Sequence, residues 1–286
     1  AGNVAVGPSA LGANTTGAVN TAIGNEALDA NTTASNNVAI GHSSLGANTT
    51  GSLNTAVGSL AAQSITTGNS NVAVGYNSLS SDTLGDRNVA IGLSTLSAQN
   101  FTSSTDSYNV AVGYAAGRDN TTGTNNTFVG GQAGLANTTG TNNVAIGSTT
   151  LDANTTGSSN VAVGTGALTT STTAGNNVAV GTSALNSNTT GDLNLAIGST
   201  ALSSNTVGDR SIAIGHNALR DQDPSSNSDM YNVAIGVNAG LQTTTGVANT
   251  FIGGLVGDAN TTGSQNTALG RSALGANTTA SNNTAI

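Results

Sequence analysis

Residues 37–53 read NVAIGHSSLGANTTGSL, and at residue 54 the string starts again as NTAVG. The opening Asn-x-Ala-[Val/Ile]-Gly recurs at Asn3, Asn20, Asn37, Asn54, Asn71, Asn88, Asn109, Asn126, Asn143, Asn160, Asn177, Asn194, Asn232, Asn249, Asn266 and Asn283, with Ser211 in place of Asn once. The interval is 17 residues, except from Asn88 to Asn109 and from Ser211 to Asn232, where it is 21. A period of this size marks a solenoid whose units bury their apolar face only by stacking on one another.

Chemistry is fixed position by position. The third residue is Ala in fifteen of seventeen rungs and Phe at Phe128 and Phe251; the fourth is Val or Ile except at Leu269. Gly follows at position five, where positive φ is free of steric cost. A Leu comes four residues later (Leu28, Leu45, Leu79), then Asn-Thr-Thr-Gly from residues such as Asn31 and Asn48. The x-Ala-[Val/Ile] segment alternates faces with period two, as a strand does. Asn-Thr-Thr-Gly has the residues of a turn. The expected unit is therefore strand, turn, short strand, turn, with Asn stacked on Asn in amide ladders. Gly in each rung and the near absence of Glu, Lys and Arg oppose a helical repeat. The fold class is all-β: a β-solenoid of seventeen 17-residue rungs over 1–286, with longer rungs at 88–108 and 211–231.

Of 286 residues 6% are charged and 2% aromatic, with no Cys and a net charge of -8. An ordinary enzyme domain carries about 25% charged residues. Five cationic side chains, all Arg, oppose binding to nucleic acid or to an anionic membrane surface. No apolar run reaches the roughly 18 residues of a membrane span. Zero Cys excludes disulfides and thiolate metal sites. The chain starts at Ala1 with no visible signal peptide, and reads as a slice of a longer protein.

If positions two and four point into the coil, Ala points out as a smooth stripe. An apolar strip of that kind needs a cover, and a cyclic arrangement of further copies supplies one. On that reading Ala5, Ala22, Ala39, Ala56, Phe128 and Phe251 face a homo-oligomeric interface.

The repeated NVAVG, NTAIG and NNVAIG resemble the head repeats of trimeric autotransporter adhesins, the YadA-like family, which also occur in phage tail fibres and tail-fibre-domain proteins. The resemblance covers the whole chain. It implies a left-handed parallel β-roll, a homotrimer, and an extracellular, cell-surface or virion structural and adhesive role without enzymatic activity or cofactor. The partner would be a host-cell surface, glycan or matrix receptor. Two departures stand out: the family's common rung is shorter, and no anchor or stalk lies in 1–286. A glycan-degrading tailspike and a self-assembling extracellular filament stay open as alternatives.

Function tends to sit where a repeat breaks. The four extra residues in each long rung fall in 97–108 (SAQNFTSSTDSY) and 220–231 (RDQDPSSNSDMY). Phe101, Asp106, Tyr108, Asp229 and Tyr231 are the candidate binding residues. Each long rung is followed by two rungs with Gly for Leu (Gly117 and Gly134; Gly240 and Gly257), the second carrying Phe128 or Phe251. The two copies are offset by 123 residues, as in a duplicated block. His42 and His216 are isolated and form no catalytic set. Asp192 and Asp209 occupy equivalent positions of adjacent rungs, a spacing that suits a glycosidase pair, but no cleft or aromatic platform is evident beside them. Asn-Thr-Thr is formally a glycosylation acceptor; its recurrence is that of the turn.

Overall fold

The structure is a computed structural model that describes residues 2–286. It is a parallel β-solenoid of about seventeen turns, with no helix among the described residues. The chain divides into two compact units, Ala1–Asn142 and Asn143–Ile286. Rungs opening at 3, 20, 37, 54, 71, 88, 109 and 126 lie in the first; those opening at 143, 160, 177, 194, 211, 232, 249, 266 and 283 lie in the second.

Each rung contributes one strand, such as Val38–Ile40 or Val161–Val163. Within each unit the strands pair in parallel, like residue on like: Val38 with Thr55, Ala39 with Ala56, Ile40 with Val57. The long rungs keep this register, Val89 on Val110 and Ile212 on Val233, so the extra residues leave the sheet as loops. Outside the strands the backbone still bonds from rung to rung, as from Leu45 N to Ala61 O (3.1 Å) and from Thr49 N to Thr66 O (2.9 Å).

The expected second short strand is absent from the regular rungs. Residues after the glycine alternate into left-handed conformations, with Ser43 at φ 50° and Leu45 at φ 49°, which a strand does not allow. Among the described residues only the long rungs form a second pair, Gly85–Asp86 with Thr105–Asp106 and Gly208–Asp209 with Ser228–Asp229. A left-handed Leu costs roughly 1–2 kcal/mol. Full burial of the Leu45 side chain returns roughly 1.5–3 kcal/mol, so burial outweighs the strain.

The orientation of the strand is the reverse of the expected one. Ala22, Ala39 and Ala56 are wholly buried inside the coil of their own chain, and so are Phe128 and Phe251. Ala5, in the first described rung, is exposed and pairs with Ala22. Positions two and four point outward: Val38 is half-buried and Ile40 is exposed. The cause is the narrowness of a 17-residue coil. The inward Phe128 ring fills the space at Gly117 and Gly134, where other rungs carry Leu, so where Leu is present the inward strand residue is Ala. Ala22, Ala39, Ala56, Phe128 and Phe251 therefore form the core of one chain, not the interface assigned to them on the alternation alone.

Polar ladders complete the interior. Asn37 Oδ1 accepts from Asn54 N (2.9 Å), and Asn37 Nδ2 donates to Gly51 O (2.9 Å). The turn asparagines form a second ladder, Asn48 Nδ2 donating to Asn31 Oδ1 (3.2 Å) and to Gly51 O (2.9 Å). The amide nitrogens of both ladders are thus paired, as burial requires, while Asn48 Oδ1 is buried without a partner. Because Asn31, Asn48 and Asn137 are fully buried, their Asn-Thr-Thr triplets serve the turn. Gly58 shows why position five excludes side chains: at φ 132° a Cβ would lie 2.6 Å from Gly75 O.

Candidate functional site

Three surface features stand out from the regular coil. The first is the outer face of the sheet. In each unit, positions two and four present Val, Ile, Leu and Thr side by side on consecutive rungs. Ile146 is 41% exposed and Ile40 37%. Single exposed aliphatic residues are ordinary on a soluble protein, but contiguous columns of them are not. In the first unit the flanking position after the glycine adds exposed Tyr76, Leu93 and Tyr114 on three successive rungs.

The second feature is a cluster at each inserted loop. Arg87, on the rung before the insertion, pairs with Asp106. Its guanidinium lies 5.6 Å from the centroid of the Tyr108 ring, and the Tyr108 hydroxyl donates to Asp106 Oδ2 at 3.5 Å. The second loop repeats the arrangement. Arg210 pairs with Asp229 and lies 5.9 Å from the Tyr231 ring, whose hydroxyl donates to Asp229 Oδ2 at 3.1 Å. The bond to Asp229 pushes the Arg210 pKa up. Each arginine thus joins the loop aspartate of the following rung rather than its chain neighbour Asp86 or Asp209. Ser104 Oγ donates to Asp86 Oδ2 (2.9 Å), tying the first loop back to its base.

Of the five candidate binding residues, Asp106, Tyr108, Asp229 and Tyr231 lie on the surface in these two clusters. Phe101 does not. It is 5% exposed and anchors the root of the first loop, so it presents no ring to a ligand; its apolar ring gains more from packing than from display. Pro224 and Met230 are the buried anchors of the second loop.

The third feature is a shallow cavity of about 350 Å³ lined by Glu26, Asp29, Ser43, Gly46, Ala47, Gln63 and Ser64. Gly46 leaves a notch between Asp29 and Gln63, which share its position on the neighbouring rungs. Ser43 Oγ donates to Glu26 Oε2 (3.0 Å), and His42 Nε2 stands 3.9 Å from the same oxygen.

Asp192 and Asp209 do stack, but as caps. Gly175 N donates to Asp192 Oδ1 (2.6 Å) and Asp192 N to Asp209 Oδ1 (2.7 Å). The column is a third ladder, filled elsewhere by Ser35, Ser52 and Asn69 in the same role. Burial raises the Asp209 pKa, with Asp192 and Asp229 adding to the shift. His216 Nε2 lies 3.1 Å from Nδ2 of its neighbour Asn217. Among the described residues no group of three His, Asp or Glu side chains is placed to hold a metal ion, and no helix is long and apolar enough to cross a membrane.

One further residue escaped sequence reasoning. Asp82 stands in the turn ladder where other rungs have Asn, and it is wholly buried. Gln99 Nε2 donates to its Oδ2 (2.7 Å) and Gly85 N to its Oδ1 (3.0 Å). Burial raises its pKa against these bonds. The signal was available in the string SSDTLG, where Asp replaces the Asn of Asn-Thr-Thr-Gly. No family model, curated protein or solved structure matches the chain.

Proposed function

We propose that this chain is a structural and adhesive fibre segment, a homotrimer acting outside the cell or on a virion and spacing or displaying receptor-binding surfaces. The observation that carries this reading is the outer face of the sheet. Its exposed aliphatic columns repeat rung after rung, with side chains nearly uniform in size and almost free of charge. Such a face is suited to a partner of the same repeat, since like columns on two copies match at every rung. Closed cyclic symmetry then covers the face on each chain without leaving an open end. Three copies and a left-handed coil are what the YadA-like resemblance implies, and they enter on that ground.

The reading is non-catalytic. Asp192 and Asp209 each commit one carboxylate oxygen to a backbone N–H, and the loop carboxylates Asp106 and Asp229 are held in ion pairs with Arg87 and Arg210. Sedimentation analysis of the wild-type chain tests it: a mass of three chains at micromolar concentration is expected, and a stable single chain contradicts it.

A further inference from the structure

We propose that the Arg87–Asp106–Tyr108 and Arg210–Asp229–Tyr231 clusters are two copies of one binding site for a neutral pyranose unit of a glycan. The proposal rests on the adhesive reading above and names its ligand. Its main support is a comparison within the chain. Between the two loops the buried anchors have changed, Phe101 and Ser107 in one against Pro224 and Met230 in the other. The exposed trio has not changed in residue type, ion pair, ring contact or hydroxyl bond. Packing normally holds buried residues and lets exposed ones drift; the buried Gln99 and Gln222 follow that rule, whereas the exposed trio is kept although the anchors Phe101 and Ser107 are not. Stability is a poor reason for it, because half-exposed ion pairs contribute little.

The chemistry of the cluster selects a sugar. Guanidinium N–H donors and a carboxylate acceptor lie side by side, matching vicinal hydroxyls that each donate and accept. The phenol supplies an apolar edge for ring C–H groups. Thr102, Ser103 and Ser104 fringe the first cluster, and Ser225 and Ser226 the second, all exposed. The arginine charge is already met by Asp106 or Asp229, which disfavours an anionic ligand. A protein partner needs a desolvated aromatic or Arg anchor in a pocket, and neither loop forms one.

The test is an array of neutral gluco-, galacto- and manno-oligosaccharides beside uronate-containing ones, probed with the full chain. The wild type is expected to bind at least one neutral series. Tyr108→Ala with Tyr231→Ala should weaken that binding by about tenfold or more, as loss of an aromatic anchor does, while the melting temperature holds. Arg118→Ala, an exposed arginine outside both loops that pairs with its neighbour Asp119, should leave it intact. No binding to any neutral series, preference for the uronates, or undiminished binding by the loop double variant each overturns the proposal, as does a polypeptide ligand at these loops. Sedimentation of the same preparations separates the two readings. A trimer that binds no sugar defeats this site and spares the fibre; a monomer that binds sugar does the reverse.

Discussion

The Phe128 ring occupies the place that a side chain at Gly117 would take: a Cβ there would fall 2.6 Å from Phe128 Cδ2 and 2.9 Å from Leu96 Cδ2. Gly134, on the other side, is blocked by the same ring, and Phe251 stands in the same relation to Gly240 and Gly257. Where one Phe replaces Ala, two Leu become Gly. The ring thus fills most of the space that the two leucines give up.

A mutant cycle checks this exchange. Phe128→Ala alone should cost about 3–5 kcal/mol, because it empties a core site whose neighbours lack side chains. Adding Gly117→Leu and Gly134→Leu should recover much of that loss, since Leu45 and Leu79 already sit at the same left-handed φ. The two leucines without the Phe change should destabilise the fold by overpacking. Additive effects in chemical denaturation would contradict the account, because residues sharing one space couple strongly.

Asp82 makes a prediction in pH. Its carboxyl is raised above its ordinary value by burial, so the folded chain holds the proton more tightly than the unfolded one. Stability from this group is therefore greatest when both states are protonated, and it falls as pH rises through the raised pKa. Asp82→Asn should increase the melting temperature at pH 7, and the gain over wild type should shrink as pH approaches the ordinary carboxylate range. A gain that grows on acidification would show that the hydrogen bonds from Gln99 and Gly85 outweigh the burial.

Asn37→Ala tests the amide ladders. The change removes the acceptor of Asn54 N–H and the donor to Gly51 O. Gly51 O keeps its bond from Asn48 Nδ2, so the Asn54 N–H is the group left unpaired, at a cost of roughly 1–3 kcal/mol. Because rungs couple to nearest neighbours, hydrogen exchange should rise around residues 37–54 first. Unaltered protection there would mean that the ladder carries little of the stability.

The period, the strand, the glycine bend and the Asn ladders were legible in the sequence because each rung repeats the same choice. The facing of the strand was not. Alternation at Val38, Ala39 and Ile40 defines two faces but not which one is inside, and the usual preference for burying larger aliphatics points the wrong way in so thin a coil. The Leu column held the missing information: Phe replaces Ala where Leu gives way to Gly117 and Gly134, or to Gly240 and Gly257, so the two columns share one space. The loop tyrosines were legible as breaks in the period. Their arginine partners lie one rung back, so the clusters emerge only when the rungs are stacked. Phe101 was misassigned because an aromatic residue in an insertion looks the same in sequence whether it anchors the loop or is displayed.

Ala39 and Ile40 are adjacent in the chain and opposite in fate, and sedimentation combined with circular dichroism on charged variants tests the central claim most directly. Ala39→Asp puts an unpaired carboxylate into the core, at a cost of several kcal/mol, and should abolish the β-sheet signal. Ile23→Asp, Ile40→Asp and Ile91→Asp together place three charges on the outer face of one unit. That variant should keep the β-sheet signal and sediment as a single chain, while the wild type sediments as three. A wild type that sediments as one chain, or an isoleucine variant that still assembles, would contradict the account.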